Sequence, residues 1–279
     1  MSYNYSVVVP YRDKYELFVK AIGSIPDRED IQIIIIDNAP QPLSHGQIPT
    51  KVQAMVTYTT SSPTKGAGCA RNVGLQYAKG RYILFLDADD YFTTEAFAAF
   101  DKYLDKDYDI VFFKPTSIRL SDGMLSNRHV PYSSMVDEFL KTGSEGQLRY
   151  NWVTPWSKMF NRNFVITNGF LFDEIKASND IWFSVTTGHS AKTVTADKAI
   201  VYVVTEGKMG SSLIYTKTEE IWFIRFQVMI RVNQYLKSIG KYKYHIRLLG
   251  GLRIAWKEFG FKTFLKFLKY AYDNKAGIF

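Results

Sequence analysis

Apolar residues come in short uninterrupted runs in the first half of the chain and at helical spacing near its end. Tyr5–Pro10, Ile31–Ile36, Val52–Thr59 and Tyr82–Leu86 are too short for helices and rich in strand formers. Strands apolar on both faces belong inside a covered, mostly parallel sheet. Between them, Lys14–Ser24 carries Tyr15, Phe18, Val19 and Ile22 as a helical stripe, and Ala70–Lys79 carries Val73, Leu75, Tyr77 and Ala78. A helix near Thr94–Asp105 and a strand at Asp109–Lys114 continue the alternation, with Ser61–Gly68 as a flexible loop. Such alternation predicts right-handed βαβ units and an α/β half-fold of the nucleotide-binding type. After Pro115 the pattern loosens into short strands near Thr116–Leu120 and Arg128–Tyr132 and a helix near Ser134–Thr142. Thr218–Ile239 lacks Gly and Pro and reads as one helix, with Ile221, Trp222, Ile224, Phe226, Val228 and Met229 too widely spread for one narrow stripe. Phe259–Tyr272 predicts a short amphipathic helix with Lys262, Lys266 and Lys269 between its aromatics.

Charge sharpens this division. The chain has 35 Lys+Arg against 27 Asp+Glu, a net +8. Residues 219–279 hold 12 of the cations and 4 of the anions, so the first 218 residues are neutral. A basic helical appendage, 216–279, on a neutral body, 1–215, is the expected organisation. The single Cys69 excludes an internal disulfide framework and suits a reducing compartment. Neither a signal peptide nor an apolar window long enough to span a membrane is apparent. The expected location is cytoplasmic. The four histidines are scattered without ligand spacing.

The candidate chemistry begins where the Tyr82–Leu86 run ends, in Asp87, Asp89 and Asp90. Three carboxylates so close repel one another unless a cation sits among them. Mg²⁺ and Mn²⁺ take such oxygen ligands, typically one or two carboxylates plus substrate phosphates. Open α/β sheets bind ligands outside the carboxyl ends of their strands, where this triplet falls. The alternative is a polar turn with Asp90 capping the next helix.

Four segments in register carry a family resemblance: Ser6–Pro10, Ile34–Asn38, Gly66–Gly74 and Ala78–Asp90. The chain resembles the family 2 glycosyltransferases, inverting enzymes that transfer sugars from nucleotide-sugar donors. A fainter match runs through Trp156–Phe160, Phe172–Glu174 and Ser178–Phe183, and ends near Tyr202 and Ser211-Ser212. The resemblance implies a GT-A fold, a Rossmann-like mixed sheet flanked by helices. It implies that Asp87 and Asp89 form the DXD motif, holding Mn²⁺ or Mg²⁺ against the donor diphosphate. Pro10, Tyr11, Arg12, Asp37, Asn38, Lys65, Gly66, Arg71 and Ala88 would bind the donor, and Asp180 would be the general base toward an acceptor hydroxyl. Trp152, Trp156, Lys158 and Asn179 are candidate acceptor contacts.

Two departures matter. Asn38 stands where the family usually has a second acid, which puts the base preference in play although a UDP-sugar is favoured. Asn179 stands where the family has a glutamate before the base. The expected acceptor is a glycan or a lipid-linked glycan of a bacterial surface polysaccharide. The basic tail suits an anionic membrane surface, peripheral on the inner face of the plasma membrane, or alternatively a homodimer. Nucleic acid is not an expected partner. The rival readings are a dehalogenase-type phosphatase using Asp87 and Asp89, and a non-catalytic sugar-nucleotide-binding scaffold.

Overall fold

The computed structural model describes residues 3–207 and 218–276. Ser211-Ser212 and the expected boundary at 215/216 lie outside the described residues. The chain forms β1 (Tyr5–Tyr11), α1 (Tyr15–Gly23), β2 (Ile31–Asp37), β3 (Met55–Thr60), α2 (Gly66–Tyr77), β4 (Tyr82–Phe85), β5 (Tyr91–Phe92) and α3 (Ala96–Asp101). It continues with β6 (Ile110–Arg119), α4 (Val130–Thr142), α5 (Gly146–Tyr150), β7 (Lys158–Asn161), α6 (Arg162–Thr167), α7 (Ile181–Ser190) and β8 (Val194–Glu206). Three helices follow: α8 (Glu219–Ser238), α9 (Leu248–Phe259) and α10 (Phe261–Asp273).

The eight strands among the described residues join one mixed sheet in the order β3-β2-β1-β4-β7-β6-β8-β5. β1, β2, β3 and β4 pair in parallel, while β7 runs antiparallel to both β4 and β6. The uninterrupted Val and Ile runs of β1 and β2 are explained by position, since their apolar side chains are buried on both faces. The chain steps outward from β1 to β3 and returns to β4 on the other side of β1. That reversal opens a crevice at the carboxyl ends of β1 and β4, the place where such sheets bind ligands.

Three expectations about elements are corrected. The third strand starts at Met55, and Val52 lies 94 % exposed in the turn before it. Ile110–Arg119 forms one strand despite Pro115, because β6 shifts register against β8 around Lys114 and the missing N–H of proline falls at that irregularity. Arg128–Tyr132 leads into α4, with Pro131 in the first turn, where a missing N–H costs nothing.

The spread of apolar residues on α8 reflects two packing faces. Val228, Val232 and Leu236 pack with Tyr150 and Val185 of the body and with Tyr244, just after α8. Phe226 and Ile230 instead form a second small core with Leu248, Leu252 and Ala255 of α9 and Phe267 and Ala271 of α10.

Candidate active site

Asp87 and Asp89 leave β4 in a turn closed by Asp90 N–H donating to the Asp87 carbonyl at 3.0 Å. The three carboxylates then diverge. Asp90 turns inward, is 4 % exposed and accepts from the Thr205 N–H at 2.7 Å. Burial raises its pKa well above the aspartate range, and the charges of Asp89 and Asp87 push the same way. Asp90 therefore anchors the turn to β8 and does not cap a helix. Thr205 also donates its hydroxyl to the Asp89 carbonyl at 2.5 Å.

Asp87 and Asp89 stay partly exposed, each beside a cation. Arg71 of α2 donates to Asp87 at 2.5 Å and to Asn179 at 3.0 Å. Lys14, at the start of α1 with φ 60°, reaches Asp89 at 3.1 Å. The Asp87 N–H donates to the Tyr202 hydroxyl at 3.1 Å, and Trp156 stacks under the Tyr202 ring at 5.5 Å. Among the described residues no group of three or more His, Cys, Asp or Glu could hold a metal by itself. Two partly exposed carboxylates without a third protein ligand fit a Mg²⁺-type or Mn²⁺-type ion that takes its other oxygens from a substrate diphosphate and water.

Asp180 precedes the first residue of α7, yet its side chain makes no capping hydrogen bond. The carboxylate is thus not spent on the helix, contrary to the ordinary role of Asp at this position. Burial raises its pKa; Asp87 adds to the rise, while Arg71 and Lys158 oppose it. Arg71 is the hinge of the arrangement, tying the Asp87 turn to the residue beside Asp180. Asn179 serves there as a neutral acceptor, which explains how the position does without a carboxylate.

The glycines Gly66 and Gly68 make close packing contacts. The helix already begins at Gly66, where φ is +73°, and a Cβ there would meet the Ile175 carbonyl at 2.6 Å. A Cβ on Gly68 would collide with the Asp173 carbonyl. Both glycines let α2 lie against the 173–179 loop, which Asp173 N–H to Asn179 O closes at 3.0 Å. That loop sets the position of Asp180. Lys65 lies beside it, paired with Glu174 at 2.8 Å.

At the carboxyl ends of the first three strands, Tyr11, Asp37 and Thr60 sit level across β1, β2 and β3. Pro10 precedes Tyr11, and Arg12 reaches the Pro63 carbonyl at 3.3 Å. Asp37 is buried and accepts from the N–H groups of Ala39 and Leu43 and the Tyr58 hydroxyl, so it shapes the loop after β2. Asn38 donates its amide to Ser61 Oγ at 3.0 Å and the Ser62 carbonyl at 2.6 Å. These acceptors fix the amide orientation and leave Oδ1 without a partner among the described residues.

The expected acceptor contacts are corrected by burial. Trp152 is fully buried against Phe112 and Tyr132, and Trp156 is 2 % exposed beneath Tyr202, so neither face is open to a sugar. Lys158 is buried too, donating to the Trp152 carbonyl at 2.9 Å. Burial drives its pKa well below the lysine range, against a weaker pull from Asp180. Lys14, Tyr202 and Thr205 were not foreseen. The latter two arrive from β8, more than a hundred residues from the turn they hold, and no local motif marks them.

The chain belongs to the glycosyl transferase family 2, whose model matches residues 6–163. It is 26 % identical over 231 residues to the poly(ribitol-phosphate) beta-glucosyltransferase of Bacillus spizizenii, covering 78 % of this chain and 35 % of that protein. The chain thus spans about a third of that relative's length. Residues 1–349 of Staphylococcus aureus TarS, in complex with UDP-GlcNAc, superpose with a TM-score of 0.61 at 17 % identity, over 98 % of this chain and 73 % of that one. The mannosyltransferase PcManGT of Pyrobaculum calidifontis, in complex with GDP-Man and Mn²⁺, gives 0.58 at 15 % identity, over 98 % and 76 %. The fold is GT-A, as the resemblance implied. Neither the family nor these structures lend support to a dehalogenase-type phosphatase.

Proposed function

We propose that the chain transfers a sugar from a nucleotide-diphospho-sugar to a hydroxyl of a glycan acceptor, with inversion at the anomeric carbon, in the synthesis of a bacterial surface polysaccharide. The observation that carries this reading is the pair Asp87 and Asp89 at the sheet's switch point, linked through Arg71 to the residue beside an uncommitted Asp180. Asp180 takes the proton of the attacking hydroxyl as its oxygen bonds to the anomeric carbon. The bond from that carbon to the diphosphate oxygen breaks in the same displacement, and the diphosphate leaves with the electron pair. Asp87 and Asp89 would hold a divalent ion, which when bound supplies positive charge at the leaving diphosphate. Arg71 holds Asp87 in place. Lys14, paired with Asp89, is a second cation placed beside the site and would be available to the phosphates. The complexes of TarS with UDP-GlcNAc and of PcManGT with GDP-Man and Mn²⁺ support both the donor class and the ion.

The free Asn38 Oδ1 is an acceptor, so it can take the imino N–H of uracil or guanine, the contact the second acid of the family makes to uracil. We favour a UDP-sugar because TarS is seen with UDP-GlcNAc. The acceptor class is drawn from the poly(ribitol-phosphate) glucosyltransferase relative, and 216–279 is read as an accessory region of the transferase.

A thermal-shift screen of UDP-, GDP- and CDP-sugars with Mn²⁺ or EDTA tests the reading, because a donor raises the melting temperature by mass action. A uridine or guanosine donor should stabilise the protein only with Mn²⁺, and Asp89→Ala should lose that shift while melting normally without ligand. A donor shift that survives both EDTA and Asp89→Ala removes the metal from the site.

A further inference from the structure

We propose that the outer face of α9 and α10 docks on an anionic lipid bilayer, at the end of the molecule that carries the acceptor side of the site. On α10, Thr263, Phe267 and Ala271 face the small core with α8 and α9. Phe261, Leu265 and Tyr272 lie away from that core, while Leu268 packs partly against it. At 3.6 residues per turn the three fall within a stripe of roughly 40°. Phe261 is 60 % exposed, Leu265 45 % and Tyr272 80 %. Trp256 of α9, 59 % exposed, extends the stripe through Phe264, whose ring lies 5.7 Å from Trp256 and 6.0 Å from Phe261. Single exposed apolar residues are ordinary on a protein surface, but a continuous aromatic and aliphatic stripe is not.

Charge identifies the occupant. Lys262, Lys266 and Lys269 follow the stripe along one side of α10, and Arg253 and Lys257 are exposed on α9. Lys266 is held by Glu219, but Lys257, Lys262 and Lys269 form no ion pair among the described residues. An apolar stripe edged by exposed lysines is the pattern of a helix lying in the headgroup region of an acidic membrane. A second copy of this chain fits less well, because a two-fold contact would set the same lysines against each other.

The direction of docking follows from contacts at the start of α8. Glu219 accepts from Thr263 at 2.8 Å and from Lys266 at 2.7 Å, which fixes α10 to this end of α8. The next residue, Glu220, accepts from Lys176 at 2.6 Å, in the loop leading to Asp180. The stripe and the loop before Asp180 are therefore joined at one end of α8. A hydroxyl carried on a lipid-anchored glycan would meet the protein on that side. This orientation, unlike the docking itself, rests on Asp180 being the base.

The test is co-sedimentation of the full chain with vesicles of phosphatidylcholine alone or with ~40 % phosphatidylglycerol, at low and high salt. Two variants accompany it: Phe261→Ser with Leu265→Ser and Tyr272→Ser, and Lys257→Gln with Lys262→Gln and Lys269→Gln. All six side chains are exposed, so thermal melts should match the parent. The parent should bind the anionic vesicles at least ~10-fold more tightly than the neutral ones, and each variant should lose most of that gain. Asp180→Asn should bind vesicles like the parent, so a failed base leaves the docking result standing. The proposal is overturned if anionic vesicles do not bind at low salt, or if both variants bind as the parent does. It is equally overturned if light scattering finds a dimer that the stripe variant dissolves while vesicles stay unbound.

Discussion

Asp90 has its carboxylate buried beside two others, and the stability of the fold carries the consequence. Its pKa in the folded chain lies above that of an unfolded aspartate. Between the two values the folded state holds a proton that the unfolded state has lost, so stability falls as pH rises through that window. Asp90→Asn keeps an oxygen for the Thr205 N–H and cannot ionise. The variant should melt higher than the parent at pH 7–8 in EDTA, with the gap closing toward about pH 4, near an unfolded aspartate's pKa. A variant that melts lower across this whole range would show that the charge of Asp90 is needed. Asp180 is shifted in the same direction, chiefly by burial, but is read as serving the reaction. A base works when deprotonated, so the acid limb of the rate should lie above the usual aspartate range, with activity lost as pH falls through it. Asp180→Asn should lower the rate at least ~10²-fold, the low end for removing a general base. Donor-induced thermal shifts should persist in this variant. Near-parental transfer by Asp180→Asn would return the residue to a structural role.

Among the elements, α2 shows how a glycine signature can mean packing. Gly66 and Gly68 face the carbonyls of Ile175 and Asp173 across the contact between α2 and the 173–179 loop. One added methyl at Gly68 must push α2 or the loop aside, and Arg71 sits on that helix. We expect Gly68→Ala to cost about 1–3 kcal/mol in urea unfolding, the range for overpacking a tight contact. Donor-dependent turnover should fall as well, since the span from Asp87 to Asn179 through Arg71 changes. A variant with parental stability and turnover would show that the close approach of α2 to the 173–179 loop is dispensable. The reading of α2 from its sequence went astray at this point, because glycine marks either a flexible loop or a close approach, and only the partner distinguishes them. Pro115 misled similarly: its missing donor ends most strands, but here it falls where the pairing is already irregular.

For the whole molecule, the C-terminal helices are more than a detachable tail. α8 packs on the body by one face and on α9 and α10 by another, so a chain ending at Gly240 leaves Phe226 and Ile230 uncovered. Fully burying such side chains contributes about 1.5–3 kcal/mol each. The shortened chain should therefore melt several degrees lower or aggregate, as size-exclusion chromatography and thermal melts would show; an unchanged melting temperature would make the small core dispensable. Composition alone revealed the basic region and the division between neutral and basic parts. The strands β1, β2 and β4, and the carboxylates at the end of β4, were equally legible, because buried runs and the turn after them are local properties of neighbouring residues. Tertiary structure alone decided which carboxylates stay open. Asp90 is withdrawn by Thr205 of β8, Asp87 is held by Arg71 and Tyr202, and Asp89 meets Lys14. It also hid Trp152, Trp156 and Lys158, whose residue types suit a sugar site as well as a core. The Asp87–Tyr202 contact joins residues 115 apart in the chain, and spacing over that distance carries no trace of a meeting that sheet topology alone brings about.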